Sequence, residues 1–514
     1  MSIAIDHPFP VAIVATAAAY ITYYIVHQLY FHPLAHIPGP KLAALTTWHE
    51  ALTDLKGKHH LTLKRLHEQY GPIIRPVPNE VHISDPDFLD TIYATRGRNA
   101  AVNIAGTLMV EGSVGASEDF GLHQMRRQAL NPCFSPKAVL QLEDLIRRKV
   151  GRVGQILEEA RQDKQPINMS DVSFAFANDM VRSFSFGSDN NLLSDLVEAK
   201  KQREDLARLL TGVKFSKHFP WAPKLARSLP YGLAKKATPP AIVDLLRFRA
   251  KIGEDIEKVL SDKSNDERGP SHSVFYELRD TPILPPEEKT MQRFQGEATL
   301  VVMAGTESTA KSLGFAIFYL LDSPSVLTGL RSELDAARKE AGGQLPLQQL
   351  VNLPYLNGVI QEAHRLSMGV TGRLIRYAPD TTLTYTDPET GKSYALPPRT
   401  RMSTNSYIAN TNETLYPDPF AFDPDRWIVH DESENEAVNR RKKSMLSLGK
   451  GHRKCIGMHL AQAALSLVLA EIVRYDLTLY QTDETDVKML YDFQISHPRL
   501  DSKGIQAIVE GKRP

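Results

Sequence analysis

Residues Ser447–Ala461 read SLGKGHRKCIGMHLA, and the fold turns on what this stretch is for. It carries Cys455, one of only two cysteines in 514 residues. The other, Cys133, is far away in sequence, so no disulfide framework is readable and both sulfurs are free for other chemistry. Gly449, Gly451 and Gly457 surround Cys455, and basic residues lie on its N-terminal side. Glycines allow the backbone to approach something bulky, and the residues that follow read as the start of a helix.

Several kinds of chemistry use such a sulfur. A buried, inert thiol is the plainest. A zinc site would recruit His452 or His459, yet structural zinc takes several thiolates. A dinucleotide loop fails on spacing, because after Gly449-x-Gly451 the third glycine position holds Lys454. A nucleophile needs a base in register, and none is assignable. The remaining reading is a heme thiolate, whose iron takes one axial sulfur from a loop that leads into a helix. Backbone N–H groups from Ile456 and Gly457 onward would temper its charge, and Arg453 stands ready for a heme propionate.

Working outward, the composition of 42% hydrophobic and 24% charged residues excludes a disordered chain. The net charge of +1 gives no reason to expect nucleic acid as a partner. From His7 to Pro40 there is no Asp, Glu, Lys or Arg. Pro10 to Phe31 meets the roughly 20 apolar residues that a bilayer core requires. A cleaved signal peptide fits poorly, lacking a basic n-region; a buried core helix is the other alternative. The expected organisation is a short lumenal N-terminus (1–9), a transmembrane anchor (10–31), a proline-rich hinge (32–41) and one large catalytic body (42–514). Asp6 before the span and Lys41 after it put the body on the cytoplasmic side.

The body reads as mostly α with small β-sheets. Ile73–Val77 and Val81–Ser84 form a β hairpin around Pro78-Asn79-Glu80, and a second hairpin turns at Asp387–Gly391. Leu142, Ile146, Val150, Val153 and Leu157 recur at helical spacing. Gly296–Leu321 is apolar nearly all round, as a buried central helix is. Ser323 and Pro324 restart a helix after it. The charged stretches 261–273 and 429–444 read as solvated surface.

Leu448-Gly449-Lys450-Gly451-His452-Arg453-Lys454-Cys455-Ile456-Gly457 resembles the heme-binding loop of the cytochrome P-450 family, F-x-x-G-x-R-x-C-x-G, with Leu448 in place of the phenylalanine. Further stretches match in order. Glu362 and Arg365 in QEAHRL resemble the family's E-x-x-R, and FDPDRW resembles its meander, so Arg426 is expected to complete a scaffold cluster. VVMAGTESTA resembles [AG]-G-x-[DE]-T-[TS]. The likeness implies that Ala304 and Gly305 border a groove over the heme, that Glu307 feeds protons and that a hydroxyl, Ser308 or Thr309, delivers them. His123 and Arg127 resemble the W-x-x-x-R helix and would reach propionates. Arg376 aligns best with the strand arginine for the other propionate, ahead of Arg373.

The resemblance implies heme b as cofactor, O₂ as co-substrate and insertion of one oxygen atom into an apolar small molecule. It is strongest with membrane-bound fungal enzymes of secondary metabolism, trichodiene-oxygenase-like proteins among them. Electrons are expected from NADPH through a separate membrane-bound reductase, with a cytochrome b-type donor as a second source, at the endoplasmic reticulum. Arg440–Lys443, Lys450 and Lys454 are the candidate docking patch. The substrate is expected among Met303, Ala304, Val370-Thr371 and a loop over Ala101–Gly115, under an aromatic lid at 217–233. An O₂-independent isomerase or dehydratase, or a non-catalytic heme sensor, are the alternatives.

Overall fold

The computed structural model describes residues 8–513 except 103–104, 189–190, 222–224, 226–227, 229–239 and 263–272. Much of the lid stretch and nearly all of the charged stretch 261–273 therefore lie outside the described residues.

Helix α1 (Pro8–Val26) continues as a π-helical turn over His27–Phe31. Within it Val11–Phe31 is long and apolar enough to cross a bilayer and is not packed inside the body. Proline and glycine then stop the helix, and the break is pinned. Arg75, itself buried, donates to Gln28 O at 2.9 Å and Gln28 Oε1 at 2.8 Å, while its backbone N donates to Pro38 O at 2.7 Å. Tyr24 Oη reaches Leu45 O at 2.8 Å. The apolar helix is thus fastened to the body at its C-terminal end.

The body is helical, with the apolar periodicity realised in α2 (Glu143–Asp163), whose Ile146, Val150, Val153 and Leu157 are buried. It packs beside α3 (Met169–Phe186), which is buried along almost its whole length. Next comes α4 (Leu196–His218). The central helix α5 runs Met291–Asp322, longer at the N-terminus than its apolar run because Thr290 caps it. The helix restarted at Pro324 leaves at 107° to it. Later come α6 (Pro354–Ser367) and, directly after the cysteine loop, α7 (Met458–Ile472).

A five-stranded sheet flanks these helices: β1 (Ile73–Val77), β2 (Glu80–Ile83), β3 (Asn99–Ala100), β4 (Arg376–Tyr377) and β5 (Arg401–Ser403), in the spatial order β1-β2-β5-β4-β3. β1 and β2 form the expected hairpin, with Ile73 opposite Ile83. Leu383–Thr386 pairs with Ser393–Leu396 around the turn at Asp387, as expected. A small hairpin, β6 (Tyr491–Asp492) and β7 (Ser496–His497), approaches the central helix near the chain's end.

The stretch 429–444 is mostly exposed, as expected of solvated surface, and within it Asn435–Ser444 is a helix that buries only Val438 and Ser444. Arg441 holds it down by donating to Leu415 O at 3.0 Å and Arg426 O at 3.1 Å.

Candidate active site

The cysteine loop is held by its backbone. Cys455 N donates to Leu448 O at 2.7 Å and Gly449 N to Leu446 O at 2.8 Å. Gly449 and Gly451 have φ of +65° and +68°, a region that only glycine enters freely. At Gly451 a Cβ would stand 1.9 Å from Tyr93 O, so the loop lies directly against the chain at 93–94. His452 Nδ1 is 3.1 Å from Ala94 O. The Cys455 thiol keeps accessible surface although it lies deep in the protein. Depth pushes its pKa up, opposed by the Gly457 N–H and then by Arg127 and Lys454. Burial and nearby Glu277 push Cys133 up to about 12, which leaves that sulfur inert.

Arg127, Arg376 and Arg453 come close enough to act on one another from three elements, helix Phe120–Leu130, strand β4 and the loop itself, and Arg127 also acts on the Cys455 sulfur. None of them forms an ion pair among the described residues. Arg376 Nη1 donates only to Ile375 O, at 2.9 Å, with its guanidinium over the Tyr93 ring. Arg453 donates to the carbonyls of Ser117 and Glu118, and its buried Nε has no partner. Burial, with Arg376 and Arg127 as like-charged neighbours, pulls Arg453 down to about 9. His123 is buried, stacks edge-on with His452 at 5.3 Å and leaves Nδ1 unpaired. Burial and then Arg453 hold it down to about 3, so its ring is neutral. Three mutually repelling guanidinium groups and unpaired ring nitrogens fit a ligand with two carboxylates. Together with the thiol, this donor set fits an iron porphyrin. Arg373 is taken elsewhere: it pairs with Glu80 at 2.7 Å and Glu50 at 3.0 Å.

On α5 the faces separate the two hydroxyls. Ala304 and Ser308, one turn apart, are both exposed although the helix is central, and Ser308 Oγ back-bonds to Ala304 O at 2.7 Å. Gly305 lies against α3, since a Cβ there would meet Val181 at 2.8 Å. Thr309, one turn on, is buried on that packed side, so the open hydroxyl is Ser308 alone. Glu307 faces a third direction, 3.6 Å from Lys311 Nζ.

The scaffold cluster is fully assembled. Glu362 takes two bonds from Arg365, at 2.7 and 2.8 Å, and Arg426 Nε stands 3.3 Å away. Trp427 Nε1 also donates to Glu362, at 2.9 Å. Sequence reading missed Trp427, although it sits in the FDPDRW stretch.

Around the open face of α5, Met303 packs with Leu108, Met109, Val110, Leu209, Leu210 and Val213. Val370 is exposed and bridges to Ile495, but Thr371 is buried and donates to Asp492 at 2.6 Å, so it serves the scaffold. The end of α4 is clasped over this region. Lys214, buried, lies 2.8 Å from Asp54 and 3.2 Å from Asp492, and Lys217 bonds Glu50 and Asp54. No sequence pattern announced this clasp, because its members are spread over more than 400 positions.

On the opposite, thiolate side, Leu448 and Trp427 line a 300 Å³ cavity with Lys442, Met458 and His459. Arg440 is paired with Asp87 and Lys450 with Asp90. That leaves Lys442, Lys443 and Lys454 exposed.

The family model described as cytochrome P450, written here cytochrome P-450, matches residues 38–499. The chain is 34% identical to the tryptophan 6-hydroxylase fscE of Fusarium equiseti, over 95% of this chain and 94% of that protein. It is 33% identical to the cytochrome P-450 monooxygenase TRI4 of Fusarium sporotrichioides, over 96% and 94%. It is also 33% identical to a conidiogenone synthase of Penicillium rubens, over 95% and 96%. A crystal structure of a cytochrome P-450 superposes with a TM-score of 0.66, covering 88% of this chain and 98% of that one at 19% identity.

Proposed function

Because the chain belongs to the cytochrome P-450 family, we propose that this heme-thiolate monooxygenase inserts one oxygen atom from O₂ into an apolar fungal secondary metabolite of terpenoid type. The family implies heme iron and a redox partner. The partner in this reading is a membrane-bound NADPH-dependent reductase, with a cytochrome b-type protein as a second donor. Residues 10–31 anchor the chain in the endoplasmic reticulum, and residues 42–514 form one catalytic domain on the cytoplasmic side.

Bound heme supplies the oxygen-activating chemistry. Cys455 would hold the iron through its sulfur, with Gly449 and Gly451 letting the loop approach and the Gly457 N–H moderating the sulfur's charge. Arg127, Arg376 and Arg453 would hold the heme's carboxylates, with His123 as a neutral donor. Ala304 leaves room on the open face of α5, and Gly305 seats the helix against α3. Ser308 presents the hydroxyl that hands protons into the groove, supplied from Glu307. The apolar wall around Met303 and Val370 excludes water and favours an apolar ligand. Glu362, Arg365 and Arg426 keep the thiolate side rigid.

The observation that carries this reading is the cluster of three mutually close guanidinium groups, none ion-paired among the described residues, beside the loop that holds the deep thiol. The test is the ferrous carbonyl spectrum of the purified protein, beside microsomal incubations with candidate terpenoids. A thiolate spectrum lost in Cys455→His, and products one oxygen atom heavier that need O₂ and reductase, support it. A protein without porphyrin, or a spectrum unchanged in Cys455→His, refutes it. Turnover without O₂ would instead identify an isomerase or dehydratase.

A further inference from the structure

Lys311 is a largely buried cation in the central helix α5, and the site described above gives it no task. Its Nζ stands 3.6 Å from Glu307 Oε1 and donates to the carbonyl oxygen of Ser496 in β7. The two side chains are only 18% and 16% exposed. Burial disfavours the charged lysine and Glu307 favours it, so the ammonium depends on that carboxylate. The titratable neighbours are few. His497 follows Ser496 in β7 and feels both members of the pair. His364 on α6 bonds Ser312, the next residue along the central helix, and is held neutral by burial.

The other end of this contact reaches the substrate side. Ile495, directly before Ser496, bridges to Val370 and packs in the apolar cluster that contains Met303. A ligand pressing on Ile495 therefore displaces the carbonyl that shares Lys311 with Glu307. Ser308, the open hydroxyl, lies one position from Glu307 but around the helix from Lys311, since residues four apart share a face and adjacent residues do not.

Resting on the monooxygenase reading above, we propose that Lys311 is a positioning residue that ties the acid Glu307 to the hairpin β6–β7. It draws the carboxylate away from Ser308 and toward Ser496, and releases it when substrate fills the space beside Ile495. Proton delivery is thereby coupled to occupancy of the pocket. Without substrate the acid is parked, and reducing equivalents are not spent on dioxygen.

The experiment compares wild type with Lys311→Met, Lys311→Arg and Glu307→Gln as full-length, heme-loaded proteins in reductase-containing membranes. Three quantities are read: hydrogen peroxide formed without substrate, the share of electrons reaching product with substrate, and hydrogen–deuterium exchange of the amides at 491–497. In Lys311→Met, peroxide formed without substrate should rise about tenfold, as expected when one charge-assisted contact that orients a proton donor is lost. Hairpin exchange should accelerate, while the substrate-induced spectral shift stays. Lys311→Arg should restore the wild-type pattern. Glu307→Gln should leave hairpin exchange unchanged, because Ser496 keeps its lysine. Unchanged peroxide and unchanged exchange in Lys311→Met overturn the inference. So does failure of Lys311→Arg to restore a defect, since that reduces Lys311 to packing. Should Lys311→Met fail to load heme, Lys311→Gln takes its place with the same readings. Loss of the thiolate spectrum in wild type would instead sink the monooxygenase reading itself.

Discussion

Arg365 grips Glu362 with two hydrogen bonds, 2.7 and 2.8 Å long, at a point where neither side chain reaches solvent. The same guanidinium donates to the carbonyls of Asn410 and Ala421, at 2.9 and 3.1 Å. One residue thus fastens α6 to the chain that leads into the cysteine loop. Removing it strands a buried carboxylate. Arg365→Ala should cost about 3–5 kcal/mol of stability, and Arg365→Lys should recover only part, because an ammonium cannot reproduce the fork. Urea unfolding of the three proteins checks this.

Gly451 meets two obstacles at once, a positive φ and the Tyr93 carbonyl that a Cβ would strike at 1.9 Å. Gly451→Ala should displace the cysteine loop while sparing the distant core. The expected result is near-wild-type helical circular dichroism with heme content and carbonyl spectrum largely lost. Gly97, also at positive φ but with nothing within 4 Å of its Cβ, is the control, and its alanine variant should keep its heme.

Among the described residues Arg376 and Arg127 pair with no carboxylate, and in the proposed function they serve the heme. Arg376→Gln should speed heme release to apomyoglobin by about tenfold or more, the loss of one charge-assisted contact to a carboxylate. Stability of the heme-free protein should fall little, because Arg376 donates only one hydrogen bond, to a neighbouring carbonyl.

The clasp at the end of α4 should respond to acid. Burial pushes the Asp54 and Asp492 carboxyls up, but Lys214, joined by Lys217 and His218 at Asp54 and by Thr371 and His60 at Asp492, outweighs it and both end below their ordinary value. A depressed folded pKa means stabilisation that is present above the unfolded value, about pH 4, and lost as pH falls through the folded one. Lys214→Met should therefore be destabilised at pH 7 by about 3–5 kcal/mol. Its deficit should narrow as pH falls below about 4, where both carboxyls can protonate in the variant. Denaturation midpoints at a series of pH values test the sign.

Docking of the redox partner should rest on Lys442, Lys443 and Lys454, since Lys450 and Arg440 are already paired with Asp90 and Asp87. Reversing the three free charges should slow reduction by the reductase about tenfold or more at low ionic strength. The gap should close as salt rises. Reversal at Arg440 should have far less effect.

The cysteine loop, the Glu362–Arg365 pair and the α5 motif were legible because each is local: a few adjacent residues fix a turn, a helix face or a spacing, whatever lies beyond. The long apolar N-terminal helix was legible for the same reason, as its length and lack of charge are properties of the segment alone. Long-range neighbours were not. Whether Ser308 or Thr309 faces the groove depends on how α5 is rotated, and Val181 on α3 sets that rotation by packing on Gly305. Arg373 and Arg376 look alike in sequence, and only the folded positions of Glu50 and Glu80 remove the first from contention. Lys214 finding Asp54 and Asp492, and Lys311 finding Ser496, are decided by the burial of charges far apart in the chain. A buried charge must be matched wherever the fold happens to bring a partner. Local chemistry therefore determined the family and the candidate ligand atom, and tertiary packing decided which of the candidate side chains lie near it.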